Sequence, residues 1–314
     1  MIPGIENNSR LVGRQRMLAR LKGLPSSGGA LLAMAILAAV TVTGCGGITS
    51  DSHKPLQVVT TTALLADLTQ NVTGDSADVI ALIPAGTDVH SFQTTPNNSI
   101  EISKAGVIVS NGGGLDDFLN PMIENAMSDG AVQVIASQGW ASRSRSPDPH
   151  YWQNPTIAVQ YVHRIQAGLS AADPNNAEAY RVRADAYAQQ LLDLDQEISR
   201  ILEDVPQSRR HLVTYHDAFG HFGSRYGWRT SALVSNDAGE VTPSAITQLQ
   251  QQVRQEGITA VFTEPQFRSK VIDLVAQDTG VEVGTIYSDL LDGSAATYIG
   301  MMRLNAENLA ESLR

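Results

Sequence analysis

At 314 residues, 42% of them hydrophobic and 17% charged, the chain is long enough for two domains of ordinary size and has a globular rather than a disordered composition. A formal net charge of −10 at pH 7 argues against nucleic-acid binding, which uses a basic stripe, and would not repel cations.

Arg10, Arg14, Arg16, Arg20 and Lys22 precede an uncharged run from Gly28 to Val42, the pattern of a secretory signal. The run is short of the ~20 apolar residues that a bilayer span requires. It ends in Val42-Thr43-Gly44-Cys45, which resembles the lipobox of bacterial lipoproteins, where the chain is cut before the cysteine and the sulfur receives a diacylglycerol. Residues 1–44 are therefore expected to leave as a signal peptide, with residues 45–55 as the lipidated Cys45 and a flexible tether at the outer face of the cell membrane. Losing five basic side chains and one acid, Glu6, moves the formal charge to about −14. Cys45 is the only cysteine, so its acylation leaves no thiol for a disulfide, and any metal site must use His, Asp and Glu. His53 in the tether reads as an exposed bystander.

From Leu56 onward strand and helix patterns alternate. Leu56 to Thr61, Asp78 to Ile83, Gly106 to Ser110 and Val132 to Ala136 read as strands. Ala63 to Val72, Ser99 to Lys104 and Asp116 to Met127 read as the helices between them. Such alternation predicts βαβ units and a parallel sheet. Gly112-Gly113-Gly114 completes no phosphate-binding motif and reads as a tight turn.

Asp148-Pro149-His150-Tyr151-Trp152-Gln153-Asn154-Pro155 sets one histidine between two prolines, on a stiff turn that can aim the ring. Two helical stretches follow. In the second, Tyr180, Ala184, Tyr187, Leu191, Leu194, Ile198 and Ile201 recur at spacings of three and four, and no Pro or Gly interrupts Asn175 to Val205. This predicts one helix of about 30 residues spanning two lobes.

A second alternating series follows, with strands His211 to Tyr215, Ser231 to Val234, Thr259 to Thr263 and Glu282 to Tyr287. Its helices are Phe219 to Tyr226, Pro243 to Glu256, Lys270 to Thr279 and Ala295 to Leu313. The expected fold is α/β: two small lobes, each a parallel sheet flanked by helices, joined by one long spanning helix. The expected boundaries are 56–172 for the N-terminal lobe, 173–205 for the helix and 206–314 for the C-terminal lobe.

Open parallel sheets bind ligands beyond the carboxyl ends of their strands. His90, His216 and Asp289 all fall in such positions, and His150 lies late in the first lobe. Together they could give a nitrogen and oxygen site between the lobes, suited to Zn²⁺ or, with more oxygen, to Mn²⁺ or Fe²⁺. Separations of 60, 66 and 73 residues do not by themselves establish it. His163, His211 and His221 read as packing or surface residues.

Five motifs in order carry a resemblance along the chain from Leu56 to Leu313. They are Gly86-Thr87-Asp88-Val89-His90-Ser91-Phe92-Gln93-Thr94-Thr95-Pro96, Asp148 to Trp152, His216 to Gly220 with Arg225-Tyr226-Gly227, Phe262 to Gln266, and Tyr287-Ser288-Asp289 with Tyr298 to Arg303. The sequence resembles the metal-binding lipoproteins of ABC importers, the ZnuA/TroA type of solute-binding protein. The resemblance implies ligation by His90, His150, His216 and Asp289, two lobes joined by one long helix, a divalent ion as cargo and a membrane permease as partner. His216, where some manganese-binding members have Glu, moves the preference toward zinc. Asp148, Asp217 and Glu264 are candidates to accept the other N–H of a ligating ring. Val89, Gln93 and Thr94 depart from the usual Pro, Glu and Pro of the first motif, at positions that shape the loop. The His-rich loop of many zinc members would precede His150, but residues 141–147 hold no His or acidic residue.

A binding protein, acting as a monomer, fits four protein ligands, which saturate a tetrahedral ion. A zinc hydrolase needs an open position for water, and neither H-E-x-x-H nor G-x-S-x-G is present. A surface adhesin would rest on the lipid anchor alone.

Overall fold

The run Leu56–Thr62 forms strand β1, and its residues from Val58 onward are all buried. A strand without polar alternation is one covered on both faces. It pairs with β2 (Ala77–Ile83) on one side and β3 (Val107–Ser110) on the other, and β4 (Val132–Ile135) completes a parallel sheet of order β2-β1-β3-β4. The chain therefore switches direction between β1 and β3, which opens a crevice at their carboxyl ends. These features belong to a computed structural model that describes residues 55–140, 148–235, 239–267 and 270–314. The leader, Cys45, most of the tether and residues 141–147, all subjects of expectations above, lie outside the described residues.

Local chemistry starts and ends the crossover helices. Thr62 Oγ1 accepts from Leu65 N at 3.3 Å to begin α1 (Ala63–Thr73), which buries Leu64, Leu65, Leu68 and Val72. Further helices are α2 (Pro96–Lys104), α3 (Asn120–Ala126) and α4 (Pro155–Ala172). Asn154 Oδ1 accepts from Thr156 N at 3.0 Å, and Pro155 occupies the first position of α4. A Cβ on Gly168 would meet Val134 Cγ2 at 2.2 Å, so only glycine lets α4 lie this close to β4.

The helix expected from Asp116 begins later, at Asn120, after a single 3-10 turn over Asp117–Leu119. The reason is Asp116 itself. Its buried carboxylate accepts from Thr61 Oγ1 at 2.6 Å, Asn111 N at 2.6 Å and Gly112 N at 2.7 Å. Gly112, Gly113 and Gly114 take φ of 73°, 70° and 100°, the left-handed conformation of a tight turn.

Helix α5 (Ala177–Glu203) runs 27 residues without Gly or Pro, about 40 Å. It buries Tyr180, Ala184, Tyr187, Leu191, Leu194 and Ile198, and Leu202 rather than Ile201 takes the last core position. Beyond it, β5 (His211–His216) pairs with β6 (Arg229–Val234), and β7 (Ala260–Thr263) with β8 (Glu282–Thr285), all parallel, with β5 lying alongside β7. Helices α6 (Gly220–Tyr226), α7 (Pro243–Glu256), α8 (Val271–Thr279) and α9 (Tyr298–Leu313) cover them. Strand β8 stops short of Tyr287 because the Asn305 side chain takes both Tyr287 backbone groups, at 2.8 and 2.6 Å.

The buried apolar residues form two clusters. The smaller, with Val213, Leu249, Val253, Val261, Ile272 and Val275, fills the second lobe. The larger holds the first sheet with α1, α4 and α5, and it also takes Met301, Met302, Leu309 and Leu313 from α9. The last helix therefore returns to the first core. Among the described residues no helix is long and apolar enough to cross a membrane.

Asp195, 4% exposed on α5, anchors α6. It accepts from Arg225 Nε at 2.7 Å and Tyr226 Oη at 3.0 Å, and a second Arg225 nitrogen reaches its other oxygen. Removing the guanidinium strands a buried carboxylate. Arg225→Ala is expected to destabilise the protein by about 2–3 kcal/mol, less than a fully enclosed pair because the arginine is partly exposed. Urea denaturation of the two proteins checks this, and equal midpoints would contradict it.

Candidate metal centre

Each of the four predicted ligands sits on a backbone fixed by neighbouring bonds. His90 follows β2 on a 3-10 turn, Val89–Ser91, capped by Asp88 Oδ1, which accepts from His90 N at 3.0 Å. Gly86, at φ 79° in the same loop, donates its N–H to Leu291 O at 3.1 Å. His150 precedes the turn Tyr151–Gln153, and the carbonyl of Pro149 accepts from Asn111 Nδ2 at 3.0 Å. Tyr161 Oη completes the Asn111 amide by donating to its Oδ1 at 2.8 Å. His216 is the last residue of β5, and Asp289 lies in the loop after β8.

The structure brings these residues together. His90, His150, His216 and Asp289 each offer a ligand atom, and all four atoms lie within 4.8 Å of one another. His216 Nε2 is 3.4 Å from His150 Nε2, and His90 Nε2 is 3.5 Å from Asp289 Oδ2. Buried polar atoms are normally hydrogen-bonded, yet His90 Nε2 and Asp289 Oδ2 are buried and have no such partner. Lone pairs converging on one point are satisfied by a cation.

The outward atoms of His150, His216 and Asp289 face partners. His150 Nδ1 is 2.8 Å from Asp148 Oδ1, which also accepts from His150 N at 3.0 Å. His216 Nδ1 is 2.7 Å from Glu264 Oε2, close enough for charge attraction though not aligned as a linear hydrogen bond. Glu264 Oε1 accepts from His216 N at 3.0 Å. Asp289 Oδ1 accepts from Gln266 Nε2 at 2.7 Å, and Ser288 Oγ lies 3.0 Å from the same oxygen.

These contacts set the ionisation of the cluster. Burial by itself would raise the pKa of Asp289, but the close approach of His90 and the positive charge of His216, His150 and His90 hold it well below the usual carboxylate range. Burial pushes His150 down, and the neighbouring His216 adds to this against the opposing pull of Asp148. Burial also disfavours charge on His216, but the Glu264 carboxylate, with Asp289 and Asp88, outweighs it and the net shift is upward. Asp148 is held low because its bond to His150 offsets its own burial.

Of the three carboxylates expected behind the rings, Asp148 and Glu264 stand there. Asp217 is exposed, and among the described residues no bond joins its carboxylate to a ring. His163 is exposed, and His211 is a packed residue bonded to Ser231 Oγ at 2.9 Å at the opposite end of β5. His221, read as packing or surface, packs on Tyr151 with ring centroids 4.5 Å apart and the rings tilted by 32°, and its Nε2 lies 2.9 Å from Asp148 O.

Sequence reasoning passed over the residues that join the two halves. Trp152 Nε1 and Gln153 Nε2 each donate to Ser288 O at 2.7 Å, and Tyr298 Oη donates to Trp152 O at 2.6 Å. Gln266 and Ser288 lie inside motifs quoted above, but an amide or hydroxyl beside a ligand has no spacing of its own that marks it.

The family model described as "Zinc-uptake complex component A periplasmic" matches residues 58–312. The manganese-binding lipoprotein MntA of Halalkalibacterium halodurans is 31% identical over 293 residues, covering 90% of this chain and 96% of that protein. The iron ABC transporter substrate-binding lipoprotein MtsA of Streptococcus pyogenes is 30% identical, covering 91% of this chain and 96% of its own length. Among solved structures, the periplasmic zinc binding protein TroA of Treponema pallidum matches with a TM-score of 0.77 at 25% identity, over 82% of this chain and 99% of that one.

In metal-free protein, Glu264→Gln removes the charge that opposes burial at His216, so the pKa of this imidazole is expected to fall. A raised folded-state pKa contributes stability that is complete below the unfolded value of about 6.5 and is lost as pH rises through the folded value. The stability difference between wild type and variant should therefore be larger at acid pH than at alkaline pH. Imidazole titration by NMR with denaturation at both pH values measures this, and an unmoved His216 would refute the role given to Glu264.

Proposed function

We propose, since this chain belongs to the periplasmic component A family of zinc-uptake complexes, the substrate-binding receptors of metal ABC importers, that it captures a divalent transition-metal ion with His90, His150, His216 and Asp289. The ion would be handed to a membrane permease. The observation that carries the reading is the convergence of four ligand atoms within 4.8 Å, with a buried imidazole nitrogen and carboxylate oxygen that have no other partner. Zinc is the favoured cargo, because three imidazoles and one carboxylate oxygen form a tetrahedral nitrogen-rich shell.

A second reading, Mn²⁺ or Fe²⁺ as cargo, is favoured by the names of the relatives MntA and MtsA. In either case four protein ligands leave a tetrahedral ion no open position for water, which suits holding and release rather than turnover. The ion would lie between a lobe of residues 56–172 and a lobe of residues 206–314, with residues 173–205 as connecting helix. Cys45 would carry the lipid that holds the protein, as a monomer, at the outer face of the membrane.

Purified residues 46–314 are expected to carry bound metal and to prefer Zn²⁺ over Mn²⁺ in competitive titration. His216→Ala should weaken binding by more than the 10- to 100-fold typical of losing a residue behind a ligand. Metal-free purification together with unchanged affinity in the variant would overturn the assignment, and preference for Mn²⁺ would support the second reading.

A further inference from the structure

Gln266, in the loop after β7, touches no candidate metal position but controls one ligand. Its Nε2 donates to Asp289 Oδ1 at 2.7 Å and to Ser288 Oγ at 2.5 Å. Ser288 Oγ lies 2.6 Å from Glu264 Oε2, so its single proton goes there, while Glu264 Oε2 faces His216 Nδ1 at 2.7 Å. The donors and acceptors form one consistent chain from Asp289 through Gln266, Ser288 and Glu264 to His216. The amide cannot be reversed, since its oxygen would then face Asp289 Oδ1 at 2.7 Å and Glu264 Oε2 at 3.3 Å, carboxylates that only accept. In this orientation Gln266 Oε1 is buried without a partner, a penalty sustained to keep the NH₂ group on Asp289.

The two oxygens of Asp289 are thereby made unequal. Oδ1 is engaged by the amide, while Oδ2 is buried, free of hydrogen bonds and 3.5 Å from His90 Nε2. An ion drawing on both oxygens would have to approach Oδ1 against an N–H pointed at the same atom. We infer that Gln266 is a specificity-determining residue that holds Asp289 to ligation through one oxygen and so keeps the site at four ligands. The inference rests on the reading of His90, His150, His216 and Asp289 as ligands. Four-coordination with three nitrogens is the geometry of Zn²⁺, whereas Mn²⁺ favours more oxygen and more ligands. With Oδ1 released, Asp289 could supply a fifth contact and the balance would move toward Mn²⁺.

The test uses Zn²⁺, Mn²⁺ and Co²⁺ on wild type, Gln266→Leu and Ser288→Ala, with Gln266→Met as a second variant should the leucine fold poorly. Co²⁺ reports geometry directly, because its visible d–d bands are intense in a tetrahedral site and weak in a five-coordinate one. Wild type should give intense bands, and Ser288→Ala, which keeps the bond from Gln266 to Asp289 but removes the amide's second acceptor, should give bands closer to wild type than those of Gln266→Leu. Gln266→Leu should give weak bands and a Zn²⁺-to-Mn²⁺ affinity ratio lowered by about tenfold, the lower end of the effect of residues behind ligands. Metal-free Gln266→Leu should still unfold in one cooperative transition, its midpoint lowered only by the loss of this one buried hydrogen bond, which separates a tuning role from a structural one. Weak bands in the wild type, or wild-type bands and ratio in both Gln266 variants, would overturn the inference while leaving the ligands in place. Failure of the wild type to bind any of the three ions would instead overturn the ligand assignment, and this inference with it.

Discussion

The 2.7 Å contact between His216 Nδ1 and Glu264 Oε2 is the constraint on which the rest of the site depends. Both side chains are completely buried, so neither could be there without the other: an isolated carboxylate at that depth would be forced toward its neutral form. The contact keeps the proton on Nδ1 and turns the Nε2 lone pair toward His150 and His90. Glu264 Oε1 meanwhile holds the backbone N–H of His216, so one carboxylate fixes both the end of β5 and the ring beyond it. The same logic recurs at His150, where Asp148 Oδ1 binds both the backbone N–H and Nδ1. Inward-facing lone pairs are a result of outward-facing atoms already being taken.

The bonds that aim the ligands also assemble the lobes. Ser288 O receives both Trp152 and Gln153, which follow His150 in sequence, so the loop carrying Asp289 is seated on the turn after His150. Tyr298 closes the circuit, since its hydroxyl reaches Trp152 O and its backbone N–H is accepted by Asp67 Oδ2 on α1 at 2.9 Å. Trp152 and Tyr298 are among the largest buried side chains, and fully burying such a ring contributes on the order of 2–3 kcal/mol. The site is thus held by the apolar core as well as by its own polar bonds.

Much of the fold was legible in the sequence because its signals are local. β-branched runs such as Leu56 to Thr61, core residues at spacings of three and four from Tyr180 to Ile198, and Pro155 or Pro243 after a capping Asn or Thr each carry their meaning within a few residues. The candidate site was legible for a different reason: histidines and an aspartate fall just past strand ends, and five motifs resemble one family in order. What stayed hidden is set by tertiary distance. Asp217 adjoins a ligand in sequence yet points to solvent, while Gln266 is 23 residues from Asp289 and bonds to it. Asp116 shortened a helix because its partners Thr61 and Asn111 come from other strand ends, and no spacing rule relates them.

Asp289 sits on the seam, and the bonds on its two sides are unequal. Its carboxylate is tied to the second lobe through Gln266. Its backbone is tied to the first: Ser288 O to Trp152 and Gln153, and Leu291 O to Gly86 N. Apolar burial is shared, for Ile286, Leu291, Ala295 and Tyr298 belong to the larger core, which also takes Leu212, Phe219 and Phe262 from the second lobe. A separation of the lobes that carried Asp289 away from His90 would break the two buried side-chain bonds to Ser288 O and the backbone bond from Gly86 to Leu291, and would expose Leu291 and Tyr298. One that parted Asp289 from Gln266 would break the amide bond to Asp289 Oδ1 and the bonds of Ser288 Oγ to Gln266 and Glu264, each worth about 1–3 kcal/mol where a charged acceptor is involved. The two sides therefore hold this loop by different means, the second lobe through the Asp289 carboxylate and Ser288 Oγ, the first through the carbonyls of Ser288 and Leu291.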